Sequence, residues 1–325
     1  MSVGPSAKTE LILAERKASV LAPSILKCLS GLPTVNLTSG CAHRCLYCYA
    51  RGYSQFPGEN KIVVCANTFE KLRKELPRKR KKPLAVYFSP STDAFQPVQE
   101  VLDLGYKCME FLLENGVGVA ILTKGRIPER HMDLLTAHPE LVQVQIGVTT
   151  LDAGIQSVFE PHAAQPQVRI EQMARLTNAG VRTQVRLDPI LPGITNDEAE
   201  LDALFGAIAG AGAREAAVAA LFLRPMIVGS LWRHLSSHDH HMKILMDQFT
   251  GAKRLPLYGE KGLVVSLSAE KRSTMYARVR EIAWLHGITV RVCACKNCDL
   301  PSESCGIAGN WRSAREVAEL PLFDS

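Results

Sequence analysis

Short apolar runs alternate with longer amphipathic stretches over the first two thirds of the chain. The runs have the length of buried strands, whereas the stretches repeat apolar residues every three or four positions, as helices do. The predicted strands are 34–38, 84–88, 117–122, 141–148, 181–187 and 216–223. The predicted helices are 68–76, 98–114, 129–137, 168–179 and 197–210. Strands that alternate with helices pair as a parallel sheet, so the pattern predicts a full or partial α/β barrel.

The pattern changes after the sixth predicted strand. A stretch with Pro, His and Trp leads to one long helix at 269–286 and a last strand at 288–292. No low-complexity linker separates the two parts, so we expect them to pack together. We therefore divide the chain into an N-terminal segment at 1–33 that packs on the barrel, the barrel at 34–223, and a C-terminal extension at 224–325. The chemistry of such barrels lies on the loops that follow the strands.

The composition is that of an ordinary globular protein. Hydrophobic residues make up 46% and charged residues 22% of the 325 positions, which excludes a disordered chain. No apolar run reaches the roughly 18 residues of a membrane helix, and the N-terminus mixes charged residues among its apolar ones. We therefore expect a cytoplasmic protein that has no secretory signal and does not bind a membrane.

Positive charge is concentrated in one segment. Residues 71–82 carry eight Lys or Arg against a single Glu, while the net charge of the whole chain is +6. The simplest interpretation is a solvated helix end and loop before a strand. The alternative is a surface that contacts a polyanion.

Seven of the ten cysteines fall in two clusters. Cys41, Cys45 and Cys48 form a CxxxCxxC loop directly after the first predicted strand. Clustered thiols in a reducing compartment favour metals over disulfides. Three thiolates can bind three irons of a 4Fe–4S cube and leave the fourth iron without a protein ligand. A structural zinc ion would need a fourth ligand, and His43 lies between two of the cysteines, where a short loop does not direct it inward.

The loop GCAHRCLYCYAR at 40–51 resembles the radical S-adenosylmethionine (SAM) superfamily, and within it the branch related to spore photoproduct lyase. Weaker blocks in the expected order extend the resemblance over most of the chain. They are Ser24-Ile25-Leu26, STDAFQP at 91–97, LTK at 122–124, VTTLD at 148–152 and PILPG at 189–193. The resemblance implies an α/β fold, a partial (β/α)6 TIM-like barrel with a C-terminal cysteine-containing extension.

The resemblance also implies cofactors, a partner and an activity. The open iron of the 4Fe–4S cluster would bind the amino and carboxylate groups of SAM. One electron from a donor such as flavodoxin or ferredoxin would then cleave SAM to a 5′-deoxyadenosyl radical, which would abstract hydrogen from a substrate. We therefore expect a radical SAM enzyme with Cys41, Cys45 and Cys48 as its cluster ligands.

Candidate SAM contacts lie near the matching blocks. They are Tyr47, Tyr49, Ser91, Thr92, Asp93, Lys124, Thr149 and Arg186. Lys124 at a strand end would supply a cation for the SAM carboxylate, and Asp93 would accept from its ammonium or ribose. The two tyrosines would lie against the adenine or shield the cluster from water. The structural alternatives are a helix cap at Asp93, a surface position for Lys124, and an ion pair of Arg186 with Asp188.

The second cysteine cluster consists of Cys293, Cys295, Cys298 and Cys305. Four thiolates make up a complete ligand set for a 4Fe–4S cluster or for a tetrahedral zinc ion. We expect a second 4Fe–4S cluster, because radical SAM enzymes often carry auxiliary clusters in C-terminal extensions, an inference that rests on the resemblance. Zinc and unligated or redox-paired thiols are the alternatives.

One residue of spore photoproduct lyases is missing. Those enzymes use a cysteine near the end of the second strand to return a hydrogen atom to the product, whereas residues 86–93 contain none. This departure argues against photoproduct repair. A nucleic acid is the first substrate candidate, from the resemblance and the basic segment. The alternatives are modification of a peptide, protein or small metabolite with the help of the auxiliary cluster, and, more remotely, a non-enzymatic iron–sulfur redox protein.

Overall fold

The protein is described here by a computed structural model that covers residues 9–24, 27–29, 31–235, 240–256 and 263–311. Its strands are β1 (Glu10–Ala14), β2 (Ala22–Pro23), β3 (Pro33–Val35), β4 (Thr38–Ser39), β5 (Lys61–Cys65), β6 (Ala85–Phe88), β7 (Gly118–Thr123), β8 (Val142–Gly147), β9 (Arg182–Ile190), β10 (Glu215–Ala220), β11 (Lys253–Pro256), β12 (Leu263–Ser266) and β13 (Thr289–Val292). Its helices are α1 (Thr68–Glu75), α2 (Gln99–Glu114), α3 (Glu129–Thr136), α4 (Ala153–Phe159), α5 (Pro166–Asn178), α6 (Glu198–Gly210), α7 (Pro225–His234), α8 (His240–Gln248) and α9 (Ala269–Leu285). Ile25 and Leu26 of the first matching block lie outside the described residues.

The main sheet has eight strands within the described residues, in the order β13-β10-β9-β8-β7-β6-β3-β2. Each neighbouring pair is parallel except β2 and β3, which are antiparallel. Apolar side chains on its outer face, such as Val144 and Ile146 of β8, join Met173 and Leu176 of α5 in one core. This arrangement is the predicted parallel α/β sheet with helices on its outside.

The inner face of the sheet carries polar and small side chains instead. Successive side chains of a strand alternate between the two faces, so Gln145 of β8 points away from Val144 and Ile146 beside it. Its amide donates a hydrogen bond to Gln184 of β9. Ala217 and Ala219 of β10 leave space that two cysteines of the C-terminal tail occupy. Small and polar residues therefore keep the interior open to the tail and to a ligand.

The C-terminal tail crosses this inner face. The amide of Gln143 donates to the carbonyl oxygen of Asn310 at 2.8 Å. An added Cβ at Gly118 of β7 would lie 2.5 Å from the ring of Trp311, so the indole packs directly on the strand. β13 also pairs with β10. Residues beyond 223 therefore contribute both a strand to the main sheet and side chains that pack on its inner face.

Most predicted elements occur close to their predicted ends, but the start of the barrel differs. The predicted strand at 34–38 is wrong in its second half: β3 ends at Val35, and Thr38 begins β4. β4 belongs to a separate sheet of order β1-β5-β4. Periodicity also missed short elements such as α4 and the β11-β12 hairpin, because four to seven residues are too few to establish a period.

Among the described residues, no helix is both long enough and apolar enough to cross a membrane.

Candidate active site

The three-cysteine loop begins where the chain leaves β4. Gly40 has a backbone φ of +82°, and an added Cβ there would lie 2.3 Å from the carbonyl oxygen of Lys61. Glycine is therefore required at this turn, since any side chain would strain the backbone and collide with β5. The turn directs Cys41 into the same cavity as Cys45 and Cys48.

Two buried polar side chains hold the loop in place. The side-chain oxygen of Gln96 accepts a hydrogen bond from the backbone N–H of Ala42 at 2.9 Å. The guanidinium of Arg51 donates to the carbonyl oxygens of Arg44 and Cys45, each at 3.3 Å. Both Gln96 and Arg51 are buried. The backbone of the loop is thus satisfied by fixed side chains rather than by regular secondary structure.

Cys41, Cys45 and Cys48 line a cavity of about 320 Å³ at the carboxyl ends of the strands. All three are free thiols. Burial raises the pKa of each above the ordinary cysteine value, and the charges of Asp93 and Glu160 add to this at Cys41 and Cys45 respectively. Thiolates here would need the positive charge of a bound metal. Three soft donors facing one cavity fit an iron–sulfur cluster.

The arrangement differs from that of a single-ion site. Within the described ranges, no three His, Cys, Asp or Glu side chains are positioned around one metal ion. A cube binds each cysteine through a different iron, so its three ligands need not converge on one point. The three cysteines lack the fourth protein ligand that a structural zinc ion would need, and they fit a cluster with one open iron.

Glu160 forms a buried ion-pair group with Lys124 and Arg169. The Nζ of Lys124 lies 2.9 Å from one carboxylate oxygen, and Arg169 pairs with the other. The hydroxyl of Tyr47 donates to Glu160, and its ring centroid lies 5.5 Å from the Lys124 ammonium. The hydroxyl of Thr149 also donates to the carboxylate, at 3.1 Å. Three of the predicted SAM contacts therefore meet at a residue that sequence reasoning did not single out.

Two cations flank the carboxylate of Glu160. Burial alone would raise the pKa of Glu160, but the charges of Lys124 and Arg169 hold that pKa at about 2, so the carboxylate is ionised at neutral pH. A second carboxylate, Asp93, is close by, since both carboxylates and both cations act on the buried His43. Arg169 donates to the carbonyl oxygens of Gly147 and Ala164, at 2.8 and 2.7 Å, whereas Lys124 lines the cavity. Of the two cations, Lys124 is therefore the one that faces the cavity.

Both carboxylate oxygens of Asp93 accept hydrogen bonds from nearby protein groups. One oxygen accepts from the backbone N–H of Phe95 and the hydroxyl of Thr123, both at 2.8 Å, and the other accepts from the N–H of Lys124 at 2.8 Å. The predicted cap of the following helix is wrong, because α2 begins further along the chain. Asp93 instead ties the loop after β6 to the end of β7. Its contact with SAM stays a prediction.

The remaining SAM candidates are divided between the cavity and its surroundings. Those that line the cavity are Tyr49, Ser91, Thr92 and Arg186. Thr149 is not among its lining residues and acts on Glu160 instead. Arg186 is buried and pairs with Asp188 at 2.9 Å, which is the structural alternative considered from the sequence. Both roles are compatible, since the guanidinium also reaches the cavity.

Three hydroxyls of the cavity wall are buried without a hydrogen-bond partner among the described residues. They belong to Tyr87, Ser89 and Thr92. Buried polar groups in native proteins are almost always paired. The three hydroxyls therefore mark where a polar ligand of this cavity would bind, and only Thr92 was identified from the sequence.

The C-terminal cysteines do not stay together. Cys293, Cys295 and Cys305 line the cavity, whereas Cys298 does not. Cys298 is exposed, and its thiol donates to the carbonyl oxygen of Pro256 at 3.5 Å. The structure brings Cys28 to the cavity instead. Sequence reasoning missed Cys28 because it stands alone at the opposite end of the chain.

Other residues of the site were missed for different reasons. Gln96 and Arg51 lie inside blocks that resemble the superfamily, so the resemblance could have identified them as site residues. Glu160 and Arg169 lie outside every block. No local pattern marks a charged residue as buried, because its burial is decided by elements distant in sequence.

The fold and the cysteine loop are those of one enzyme class. Residues 35–205 match the model of the Radical SAM superfamily. This is more than half of the chain, and the protein belongs to that superfamily. Membership implies an enzyme that uses a 4Fe–4S cluster and SAM. The expectation drawn from the CxxxCxxC loop is confirmed at this level.

Two relatives illustrate the range of sequence similarity. An uncharacterized protein of Mycobacterium tuberculosis (strain ATCC 25618 / H37Rv) is 32% identical over 200 residues, which are 59% of this chain and 59% of the relative. A radical SAM Nalpha-GlyT isomerase of Pseudomonas phage M6 is 28% identical over 173 residues, 53% of this chain and 35% of the isomerase. The chain thus matches less than two thirds of the length of either relative.

The more particular likeness is to spore photoproduct lyase. The structure of spore photoproduct lyase complexed with dinucleoside spore photoproduct has a TM-score of 0.66 to this chain at 16% identity, covering 86% of this chain and 81% of that one. A mutant with bound AdoMet and the same dinucleoside also gives 0.66, at 17% identity. At such identity the likeness concerns the fold, and it confirms the predicted partial barrel.

We predict that Glu160→Gln destabilises the protein at neutral pH. In the variant, the free energy of unfolding should also change less as the pH is lowered. A carboxylate with a folded-state pKa of about 2 and an unfolded value of about 4.3 contributes stability that is present above the unfolded pKa and lost as pH falls toward the folded one. Glutamine removes that contribution and leaves two buried cations without a counter-ion, at a cost of roughly 3 kcal/mol.

Urea unfolding at about pH 7 and about pH 3.5 measures both effects. The wild type should lose more free energy of unfolding between the two pH values than the variant does. Glu129→Gln, which breaks an exposed pair with Arg175, serves as the control and should change little. If the free energy of unfolding fell by the same amount between the two pH values in Glu160→Gln and in the wild type, this would contradict the ionised state of Glu160.

Proposed function

We propose that the protein cleaves SAM reductively at a 4Fe–4S cluster held by Cys41, Cys45 and Cys48. The observation that carries this proposal is that the three thiols line one cavity together with Lys124 and three buried hydroxyls that find no partner in the part of the chain that the structure describes. When bound, the cluster and SAM supply a 5′-deoxyadenosyl radical that abstracts hydrogen from a substrate. The residues of the chain bind and orient these groups and exclude water from them.

Lys124 binds the SAM carboxylate in this proposal. The support is its position, because Lys124 is the cation of this group that lines the cavity, whereas Arg169 donates to backbone carbonyl oxygens. Tyr47 covers Lys124 from one side and keeps water from the ion pair. Thr149 acts indirectly, since its hydroxyl holds Glu160 rather than facing the cavity.

The hydroxyls of the cavity wall bind the polar parts of SAM. Thr92 has a buried hydroxyl that needs a partner, and Ser91 follows the same strand end. Tyr49 and Arg186 line the cavity and would provide further contacts. The carboxylate of Asp93 already accepts three hydrogen bonds from the protein. It would accept from the ammonium or ribose of SAM through its remaining lone pairs.

The proposal requires an electron donor and a reducing environment. Reductive cleavage consumes one electron, for which a flavodoxin or ferredoxin is the proposed partner. Free thiols persist in a reducing compartment, so a cytoplasmic location is part of the proposal.

We also propose a second 4Fe–4S cluster at the C-terminal cysteines. Cys293, Cys295 and Cys305 are free thiols that line the same cavity. In this proposal residues 224–325 form the extension that brings the cluster to the barrel of residues 34–223, with residues 1–33 packed against it.

A nucleic acid is the substrate class that we propose. Its support is the likeness in fold to spore photoproduct lyase, whose structure holds a dinucleoside, and the basic segment 71–82, in which every Lys and Arg except the partly buried Lys71 is exposed. A peptide, protein or small metabolite is the alternative, favoured by the lack of a cysteine in residues 86–93. The two classes differ in their response to salt.

Replacing Cys41, Cys45 and Cys48 together with Ala should remove about four irons per chain and abolish SAM cleavage. Iron assay of anaerobically reconstituted protein and detection of 5′-deoxyadenosine measure the two effects. Cys65→Ala, on β5 outside the cavity, is the control and should keep both. Full iron content and cleavage in the triple variant would disprove the cluster assignment.

Lys124→Met should weaken SAM binding by about tenfold, equivalent to about 1.4 kcal/mol, because it removes the cation at the cavity wall. Equilibrium dialysis of SAM without reductant measures the affinity, and the iron content should not change. Lys107→Met on α2, which does not line the cavity, is the control. An unchanged affinity would leave Lys124 only as the counter-ion of Glu160.

DNA and RNA oligonucleotides should bind with an affinity that falls steeply between about 50 and 200 mM salt. Fluorescence anisotropy with labelled oligonucleotides provides the measurement. Replacing Arg78, Arg80 and Lys81 with Gln should weaken binding, whereas Arg278→Gln on α9 should not. Binding that is absent or independent of salt would favour the peptide, protein or metabolite alternative.

A further inference from the structure

Four thiols from the two ends of the chain form a connected group. Cys293, Cys295 and Cys305 pack together against Ala217 and Ala219, and Ile307 contacts both this group and the cluster that includes Cys28. Cys28 is close enough to Cys293, Cys295 and Cys305 for them to influence its pKa. None of them is in a disulfide. We call these residues the four-thiol group. All of its members line the cavity that also contains the three-cysteine loop.

The sheet topology explains why Cys28 belongs to this group. β2 and β13 are the two edge strands of the main sheet. Cys28 lies in a short 3-10 helix between β2 and β3, and Cys293 directly follows β13. The group therefore joins the two edges across the gap in the open barrel. A contact of this kind cannot be found from cysteine spacing.

Cys298 is excluded from the group by its neighbour. The side chain of Asn297 is buried, donates to the carbonyl oxygen of Cys293 at 3.0 Å and accepts from Arg272 at 2.8 Å. With Asn297 anchored inward, the next side chain in the turn points outward. This agrees with the exposure of Cys298 and with its bond to Pro256.

The surroundings provide the positive charge that four thiolates would need. The guanidinium of Arg186 lies close to Cys305 and pairs with Asp188 at 2.9 Å. The ammonium of Lys296 lies 2.5 Å from the same carboxylate. Two cations thus share one anion beside the thiols. Apolar contacts with Ala217 limit the access of water to Cys305, which protects a buried cluster.

We propose that Cys28 completes the second metal site with Cys293, Cys295 and Cys305, and that Cys298 is not a ligand. This inference rests on the second cluster proposed above and replaces one of its four predicted ligands. In a 4Fe–4S cluster at this site each of the four thiolates would bind a different iron.

Paired variants of the full chain test the ligand set. Anaerobically reconstituted wild type should hold about eight irons per chain, Cys298→Ala about eight, and Cys28→Ala close to four. Alkylation followed by mass spectrometry provides a readout that needs no variant. In the reconstituted protein Cys298 should react with iodoacetamide while Cys28 is protected, and removal of the metal with a chelator should expose Cys28.

The outcomes separate this inference from the proposed function. Loss of about four irons in Cys298→Ala but not in Cys28→Ala, with Cys28 alkylated in the loaded protein, would overturn the ligand set and keep the second cluster. About four irons and one zinc in the wild type, with the zinc lost in Cys28→Ala, would support the ligand set and overturn the cluster. About four irons and no other metal in the wild type would overturn both.

Discussion

An open parallel sheet leaves two unpaired edges and an unfilled interior, and the rest of the molecule is arranged around that gap. At one edge β2 is only two residues long and includes Pro23, which has no N–H to donate to a further strand. At the other edge β13 leads directly into the tail that crosses the inner face. The gap between the edges is the place where distant cysteines meet.

The cavity wall contains two buried carboxylates, each held between two cations. Glu160 is held between Lys124 and Arg169, and Asp188 between Arg186 and Lys296. Burial would raise the pKa of both carboxylates, but the adjacent cations hold each at about 2. In each group two cations flank one carboxylate, and Asp93 adds a second carboxylate beside the first group. The first lies beside the three-cysteine loop and the second beside the four-thiol group, where thiolates would otherwise repel one another.

The barrel elements could be predicted from the sequence because their periodicity is long. Helices such as α2 and strands such as β8 each have one apolar face that the helix–sheet core requires, and this face is visible in the residue order. β7 is instead an almost continuous apolar run, which predicts a strand buried on both faces. The division of residues 34–38 between two sheets was not visible. Both halves are extended, and only their partners, β6 for β3 and β5 for β4, distinguish them.

In the candidate site, too, some features follow from residue order and others depend on contacts between distant segments. Residue order by itself determined the three-cysteine loop, its chemistry and the superfamily, because CxxxCxxC brings its thiols together over one short loop. The tertiary structure decided that Glu160 is the partner of Lys124, that Asp93 is engaged by backbone N–H groups, and that Cys28 rather than Cys298 joins the C-terminal thiols. Those contacts link elements distant in sequence, and they form only when the sheet has curved and its two edges face each other.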